Sequence, residues 1–174
     1  AAELAFDAAR SGVDLVIVLG GDGTVNEAVN GLLADGVDVG APALAVVPGG
    51  STNVFARAIG MPDDHVEATG HLLEALRAAR ERSLGLGRAD QRWFTFTAGL
   101  GLDADVVAQV ERKREGGRRS THALYVRTAL RTMAAREARR AAPLQLADLE
   151  APVDEPAALV LVGNTSPWTY LGRL

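Results

Sequence analysis

Residues 14–24 read DLVIVLGGDGT, and this stretch decides the fold. Residues 15–19 are aliphatic and rich in β-branched side chains, a composition typical of a strand covered on both faces of a parallel sheet. Apolar side chains then recur at helical spacing from Val25 to Leu33, which predicts an amphipathic helix directly after the glycines. The sequence therefore predicts a strand, a tight glycine-rich loop and a helix in immediate succession.

The same unit follows a second time. Residues 43–47 read ALAVV and predict another buried strand, and PGGSTN at 48–53 leads into a short helix that ends before Gly60. A third helix is expected to begin at Asp63 and Asp64. Its inward face is expected to comprise Val66, Thr69, Leu73 and Leu76. Strands and helices that alternate at this spacing indicate right-handed βαβ crossovers and a parallel sheet.

The hydropathy pattern changes near Ser83. Phe94, Phe96 and Ala98 alternate with threonines, a period typical of a half-solvated antiparallel strand, and residues 157–163 predict a further strand. The second half of the chain is therefore expected to be richer in strands than the first.

These patterns predict two domains, an α/β nucleotide-binding domain over residues 1–84 and a partial, β-rich, sandwich-like substrate domain over residues 85–174. The chain begins inside a predicted helix, although an α/β domain usually starts with a strand, and it ends without a turn signal. We therefore expect a fragment truncated at both ends, with its first strand missing.

Composition excludes several classes of protein. A net charge of −4 is incompatible with a generally basic protein that coats nucleic acid. The absence of cysteine excludes disulfides, zinc ribbons and thiol catalysis, and three scattered histidines make no histidine-rich metal site. The longest aliphatic run, residues 15–19, is far shorter than the roughly 20 residues that a membrane span needs. A cytoplasmic location is the expectation.

The first glycine loop carries the strongest chemical signal. Gly20, Gly21 and Gly23 are expected to allow positive φ angles and a close approach of the backbone to a ligand, and the following helix N-terminus favours an anion. Thr24 is a candidate helix cap. A carboxylate at Asp22 would repel a bare phosphate, so it favours a nucleotide bound with Mg²⁺. The alternative is a tight turn in which Asp22 acts only as a cap.

The second glycine loop, with Gly49, Gly50, Ser51 and Asn53, follows the next strand. Because the carboxyl ends of parallel strands meet at one edge of a sheet, both loops are expected to lie side by side and to hold one polyphosphate. The pattern is neither the Walker A motif nor the dinucleotide fingerprint.

A third glycine turn contains Gly101 and Asp103, candidate residues of the substrate site or domain junction. Capping of the following helix is the favoured role for Asp103.

Residues 112–140 hold ten Lys and Arg against two Glu, a local net charge of +8. Ala123, Val126, Leu130 and Met133 form one apolar stripe within this basic strip. The strip is interpreted either as a solvated face of a core helix or as a contact with an anionic membrane. Since only Tyr125 interleaves with the charges, a nucleic-acid partner is not expected.

Four segments together closely resemble the diacylglycerol kinase catalytic domain family, which includes bacterial lipid kinases and sphingosine kinases. They are GGDGT at 20–24, VNEAVNGL at 25–32, PGGSTNVFARAIG at 48–60 and AGLGLDADVV at 98–107. The resemblance implies an α/β domain similar to that of NAD kinases, a C-terminal β-sandwich, ATP and Mg²⁺ bound between them, and phosphorylation of a lipid hydroxyl at a membrane surface. The residues it implies as nucleotide contacts are Gly20, Gly21, Asp22, Gly23, Thr24, Gly49, Gly50, Ser51 and Asn53.

The sequence departs from the family pattern at three points. Val54 stands where an Asp is usual in the second loop, and Gly85 stands where another Asp is common. The family element that supplies the general base is expected after Leu174, which leaves Asp22 as the candidate catalytic residue of this chain. The alternatives are a nucleotide-binding module without catalysis and, because GGDGT is shared with NAD kinases, a kinase of a soluble substrate.

Overall fold

A computed structural model describes residues 1–37, 40–115, 122–139, 144 and 157–166 of the chain. The chain divides into two compact units, one of Ala1–Thr97 with the segment that starts at Gly163, and the other of Ala98–Val162. The predicted division at residues 84 and 85 stays a prediction.

The first unit is built on two parallel strands, β1 (Leu15–Gly20) and β2 (Ala43–Pro48), with Leu15 opposite Ala43 and Gly20 opposite Pro48. Its helices are α1 (Ala2–Arg10), α2 (Asp22–Leu32), α3 (Val54–Ala58) and α4 (His65–Arg77). The predicted parallel sheet with intervening helices is confirmed.

The core of this unit lies between the sheet and the helices α1, α2 and α3. Its buried members are Ala5, Val18, Val25, Ala28, Val46, Phe55 and Ala56. Because side chains alternate along a strand, this cluster takes Val18 and, partly, Val16 from β1 and leaves the intervening residues on the other face.

One prediction about β1 is wrong. The aliphatic run indicates burial on both faces, yet Ile17 is 54% exposed and Leu19 is 67% exposed. Helix α2 packs against β1 and β2 pairs along one edge, while Ile17 and Leu19 lie on a face that the described residues leave largely open.

The predicted inward face of α4 is also wrong. Val66, Thr69, Leu73 and Leu76 are all exposed, and Ala68 is the buried residue of this helix. Leu72 and Ala75, one and two turns further on, are half-buried. A small side chain at the contact lets α4 approach β2 closely, and this brings its Ala68 face inward. The expected start of the helix is confirmed, because the Asp64 carboxylate accepts hydrogen bonds from the backbone N–H groups of Val66 and Glu67 at 2.9 and 3.0 Å.

The remaining strands are short. Strands β3 (Gly87–Ala89) and β4 (Arg92–Phe94) form an antiparallel hairpin, and β5 (Thr97–Gly101) pairs with β6 (Leu159–Gly163). Two helices, α5 (Leu102–Glu115) and α6 (His122–Arg139), belong to the second unit. The sandwich-like arrangement predicted for this half stays a prediction.

We expect Gly31→Ala to destabilise the first unit by about 1–3 kcal/mol, as overpacking of a tight contact does. A Cβ atom at Gly31, on α2, would overlap the backbone carbonyl oxygen of Ala2 at the start of α1. Urea unfolding measures the effect. The matched control is Gly70→Ala in α4, where a Cβ meets nothing within 4 Å, so this substitution should stabilise by about 0.5–1 kcal/mol. If Gly31→Ala stabilised the protein as much as Gly70→Ala, the close contact between Gly31 and the Ala2 carbonyl would be contradicted.

Candidate functional site

The two glycine loops lie side by side in backbone contact, as predicted. The Gly49 N–H donates to the Gly20 carbonyl oxygen at 3.0 Å, so the pairing of β1 and β2 continues into the loops. A Cβ atom on Gly50 would lie 2.5 Å from the Gly21 Cα atom, and one on Gly49 would lie 3.2 Å from the Gly20 Cα atom. Gly50 is required because two main chains meet where a Cβ does not fit, and a Cβ on Gly49 would make a tight contact.

The expected reason for the first-loop glycines is wrong in part. None of Gly20, Gly21 and Gly23 has a positive φ angle. Gly20 instead makes room for Thr24, whose Cβ atom would lie 2.7 Å from a Cβ on Gly20. Thr24 is not the helix cap either, because α2 begins at Asp22 and its N-cap residue is Gly21.

Asp22 connects the two loops. Its Oδ1 atom accepts a hydrogen bond from the Phe55 backbone N–H at 2.9 Å, which spans 33 residues of sequence. Asp22 therefore caps α3, the helix of the other loop, rather than its own helix. The residue is half-buried, not freely exposed at the edge of the sheet.

Asn53 closes the second loop from within. The residue is 5% exposed, and its backbone is left-handed with φ of 51°. The Oδ1 atom accepts from the Gly50 N–H at 2.8 Å, while Nδ2 donates to the Gly50 carbonyl at 3.1 Å and to Asp63 Oδ1 at 3.0 Å. Sequence reasoning assigned Asn53 to the nucleotide and missed Asp63. The structure gives Asn53 a role inside the loop, and its contact with a nucleotide stays a prediction.

The predicted contact residues differ in exposure. Gly20, Gly21 and Asp22 are half-buried, and Asn53 is buried. The residues of this set that are open to solvent are Gly23, Thr24, Gly49, Gly50 and Ser51. The two loops thus present mainly backbone, with two hydroxyl side chains, to a ligand.

The segment VNEAVNGL, for which the sequence indicates no chemical role, attaches α2 to β4 and the residue that follows it. Asn30 Nδ2 donates to the Trp93 carbonyl at 2.9 Å, and the Trp93 N–H donates to Asn30 Oδ1 at 2.9 Å. Asn26 Oδ1 accepts from the Thr95 N–H at 3.1 Å. The Asn30 amide pairs with Trp93 as a neighbouring strand would, which satisfies both backbone groups of that residue.

Asn164 holds a second backbone junction in this unit. Its Nδ2 atom donates to the carbonyl oxygens of Gly85 and Thr95, at 2.9 and 3.0 Å. Gly85, where the family often has Asp, contributes only its carbonyl to this contact. Its two long-range contacts were not predicted from the sequence.

Gly101 and Asp103 occupy the turn between β5 and α5. Gly101 has a φ of 73°, and a Cβ there would lie 2.5 Å from the Ala158 carbonyl oxygen. The capping role predicted for Asp103 is wrong, since α5 starts at Leu102 and Asp103 lies inside its first turn. Its carboxylate rests against Gly99, where a Cβ would overlap Oδ2. Burial raises the pKa of this carboxyl group. Its place at a substrate site or domain junction stays a prediction.

Asp103→Asn should stabilise the protein at neutral pH and have no effect below pH 3.8, the ordinary pKa of the group. The raised folded-state pKa means that the unfolded state loses its proton first, so stability falls as pH rises through this window. Asp64→Asn is the control of opposite sign. The backbone N–H groups of Glu67 and Val66 lower the pKa of Asp64, so its charge stabilises at neutral pH. Urea unfolding of Asp103→Asn and Asp64→Asn across this pH range tests both expectations. If the two variants changed stability with pH in the same direction, the opposite pKa shifts of Asp103 and Asp64 would be contradicted.

Two absences concern only the part of the chain that the structure describes. There, no group of three or more Asp, Glu or His side chains is placed to hold a metal ion. Within the same residues, no helix has both the length and the apolar content needed to cross a membrane.

Comparisons with known proteins agree with these features. The family model for the diacylglycerol kinase catalytic domain matches residues 1–88. The chain is 37% identical over 114 residues to a diacylglycerol kinase from Bacillus subtilis (strain 168), covering 65% of this chain and 35% of that protein. It is also 37% identical over 107 residues to a probable lipid kinase, YegS-like, from Chromohalobacter salexigens, covering 60% and 32%.

A solved structure is similar over nearly the whole chain. It is described as a putative diacylglycerol kinase from Bacillus anthracis str. Sterne, with a TM-score of 0.63 and 28% identity, covering 94% of this chain and 50% of that one. The chain spans about a third of the length of the curated relatives named above. With half of its residues matched by the family model, the chain belongs to the diacylglycerol kinase catalytic domain family.

Proposed function

We propose that this chain carries the nucleotide-binding part of a lipid kinase that transfers the γ-phosphoryl group of ATP to a hydroxyl of a diacylglycerol-like lipid. The observation that carries the proposal is the backbone contact between the two glycine loops at the carboxyl ends of β1 and β2. Family membership and the names of the relatives support the class of reaction.

The loops fit a polyphosphate on two grounds. No side chain caps the N-terminus of α2, so the N–H groups of its first turn keep the donor capacity that favours an anion. The absence of Cβ atoms at Gly21 and Gly50, which would lie 3.0 and 2.5 Å from backbone atoms of the other loop, brings the two loops close enough for both to face one polyphosphate. A bound ATP supplies the phosphoryl group to be transferred, and the open backbone at Gly23, Gly49 and Ser51 would hold it.

Asp22 has two tasks in this proposal. Its Oδ1 atom holds Phe55 and with it the register of the two loops. The described contacts give its other carboxylate oxygen no partner, so that oxygen is available to orient the acceptor hydroxyl or the nucleotide. The general base expected after Leu174 stays a prediction.

Among the residues that the structure describes, no group of three or more Asp, Glu or His side chains is placed to hold Mg²⁺. The arrival of Mg²⁺ with the nucleotide stays a prediction.

A cavity of about 320 Å³ lies beside the second loop. Its lining is mixed, with the apolar side chains of Phe55, Ala58, Ile59 and Leu84 and the polar ones of Arg82, Asn164, Thr165 and Ser166. The choice of a lipid over NAD as the acceptor is supported by the relatives, which are named as a diacylglycerol kinase and a probable lipid kinase.

The test is transfer of labelled γ-phosphate by the full-length protein to mixed lipids and, in a parallel arm, to NAD. We expect label in the lipid fraction only. Label in NAD would replace the proposal with a kinase of a soluble substrate. ATP binding in calorimetry without transfer to either acceptor would indicate a nucleotide-binding module without catalysis.

A further inference from the structure

Helices α5 and α6 pack through one narrow face each. Val106 and Val110 of α5 are buried, as are Thr128 and Thr132 of α6. Gln109 Nε2 donates to Thr132 Oγ1 at 2.7 Å, and that hydroxyl donates to the Thr128 carbonyl at 2.8 Å. Residues 128 and 132 therefore define the inner side of α6.

The opposite side of α6 carries large apolar side chains in solvent. Leu130 lies midway between Thr128 and Thr132 in sequence, which places it about half a helical turn away from both, and it is 63% exposed. Met133, one turn further, is 54% exposed. Two members of the apolar stripe, Leu130 and Met133, are therefore exposed, while the side chains of Ala123 and Val126 lie outside the described part.

Two arginines border the same surface. Arg127 and Arg131 are exposed, one turn apart, on the side of Leu130 away from Met133. In the described part of the chain no carboxylate forms an ion pair with either guanidinium. Residues 112–140 have a net charge of +8, although 116–121 and 140 lie outside the described residues. The surface is therefore apolar at its centre and cationic at one side.

We infer that Leu130, Met133, Arg127 and Arg131 form a docking surface for an anionic lipid bilayer, with the two apolar side chains in the acyl boundary and the two guanidinium groups among the headgroups. Charge complementarity selects anionic lipid, and apolar residues on an otherwise basic helix face are the pattern of interfacial helices. The inference deepens the proposed function and rests on it, since a lipid kinase meets its acceptor at a bilayer.

Sedimentation of the protein with phosphatidylcholine vesicles, with and without phosphatidylglycerol, separates the two contributions. Wild type should bind the anionic vesicles more strongly. Arg127→Gln with Arg131→Gln should weaken that binding roughly 30-fold at low salt and much less at high salt, because exposed charges are screened. Leu130→Gln with Met133→Gln should weaken it on the order of tenfold at either salt concentration, since apolar insertion is not screened.

Matched controls lie elsewhere on the surface. Leu4→Gln removes a side chain that is 76% exposed, and Arg77→Gln with Arg80→Gln removes the same charge outside α6. Neither control should change vesicle binding. Equal binding by the α6 variants and wild type, or equal loss in the controls, would overturn the inference.

A direct probe of insertion does not depend on those variants. The chain has no cysteine, so Leu130→Cys accepts a single environment-sensitive dye, and Leu4→Cys gives the labelled control. Emission from position 130 should shift to the blue on anionic vesicles, and that from position 4 should not. If the protein bound anionic vesicles without a shift in the emission at position 130, the helix would only adsorb to the surface, and the proposed insertion of its apolar side chains would be overturned. Vesicle binding that persists while transfer fails would reject the proposed function and leave the docking surface standing, because neither the sedimentation nor the dye measurement uses ATP.

Discussion

Asp22→Asn is expected to lower phosphoryl transfer by the full-length protein roughly 100-fold or more, with little change in melting temperature. The amide keeps an oxygen that can accept the Phe55 N–H, now at 2.9 Å from the carboxylate, so the tie between the loops survives. What the substitution removes is the negative charge on the second oxygen. Parallel thermal melts and transfer assays measure the two effects.

Asp22→Ala provides the matched comparison. It removes charge and acceptor together and leaves the Phe55 N–H without its partner, so stability should also fall, by about 1.5–3 kcal/mol. Full transfer by Asp22→Asn combined with loss in Asp22→Ala would show that Asp22 acts only as a tie. Full transfer by both variants would remove Asp22 from the site altogether.

The sequence predicts the frame of this site well, because each part of the frame is local. Residues 15–19 and 43–47 become the two parallel strands, and GGDGT and PGGSTN become the loops at their carboxyl ends. Strand composition, helix periodicity and loop glycines all act over a few residues, and two successive βα units bring both loops to one edge. The position of the two glycine loops could therefore be predicted without knowledge of any tertiary contact.

The roles within the frame depend on tertiary contacts, and there the predictions fail. Asp22 was expected to act at its own loop, yet its partner is 33 residues away. Gly20 and Gly21 were expected to allow positive φ angles, whereas Gly20 makes room for Thr24 and Gly21 packs against Gly50. Nothing in a linear pattern distinguishes a glycine that turns from one that makes room.

Helix α4 shows the same limit in the core. Its larger apolar residues predict an inward face, but the contact with the sheet selects Ala68, the small residue that permits close approach. Hydrophobic periodicity predicts the buried face of a helix from its apolar content, whereas close packing also depends on the shape of the side chains at the contact.

Asn53→Ala is expected to have the largest effect on the second loop. The side chain makes three hydrogen bonds, two with Gly50 and one with Asp63, and each contributes about 1 kcal/mol. Alanine in the left-handed region adds about 1 kcal/mol of strain at φ of 51°. Stability should fall by about 3–4 kcal/mol, and affinity for ATP should fall at least roughly tenfold as the loop opens. Urea unfolding and calorimetry measure the two quantities.

The control for backbone strain is Asp90→Ala, since Asp90 also has a positive φ, of 54°, and is exposed. Asp90→Ala should lower the free energy of unfolding only by the cost of this backbone strain.

A charge exchange then tests the hydrogen bond between Asn53 and Asp63. Asn53→Asp alone places two carboxylates where a donor and an acceptor meet, and it should weaken ATP binding. Adding Asp63→Asn restores a donor opposite an acceptor, and the new Asp side chain still accepts from the Gly50 N–H. The hydrogen bond from Asn53 Nδ2 to the Gly50 carbonyl stays lost in both variants, so stability and affinity should return only in part. Failure of the double variant to recover either quantity, when Asn53→Asp alone has lowered it, would show that Asp63 does not orient Asn53 and that the loop is held by other contacts.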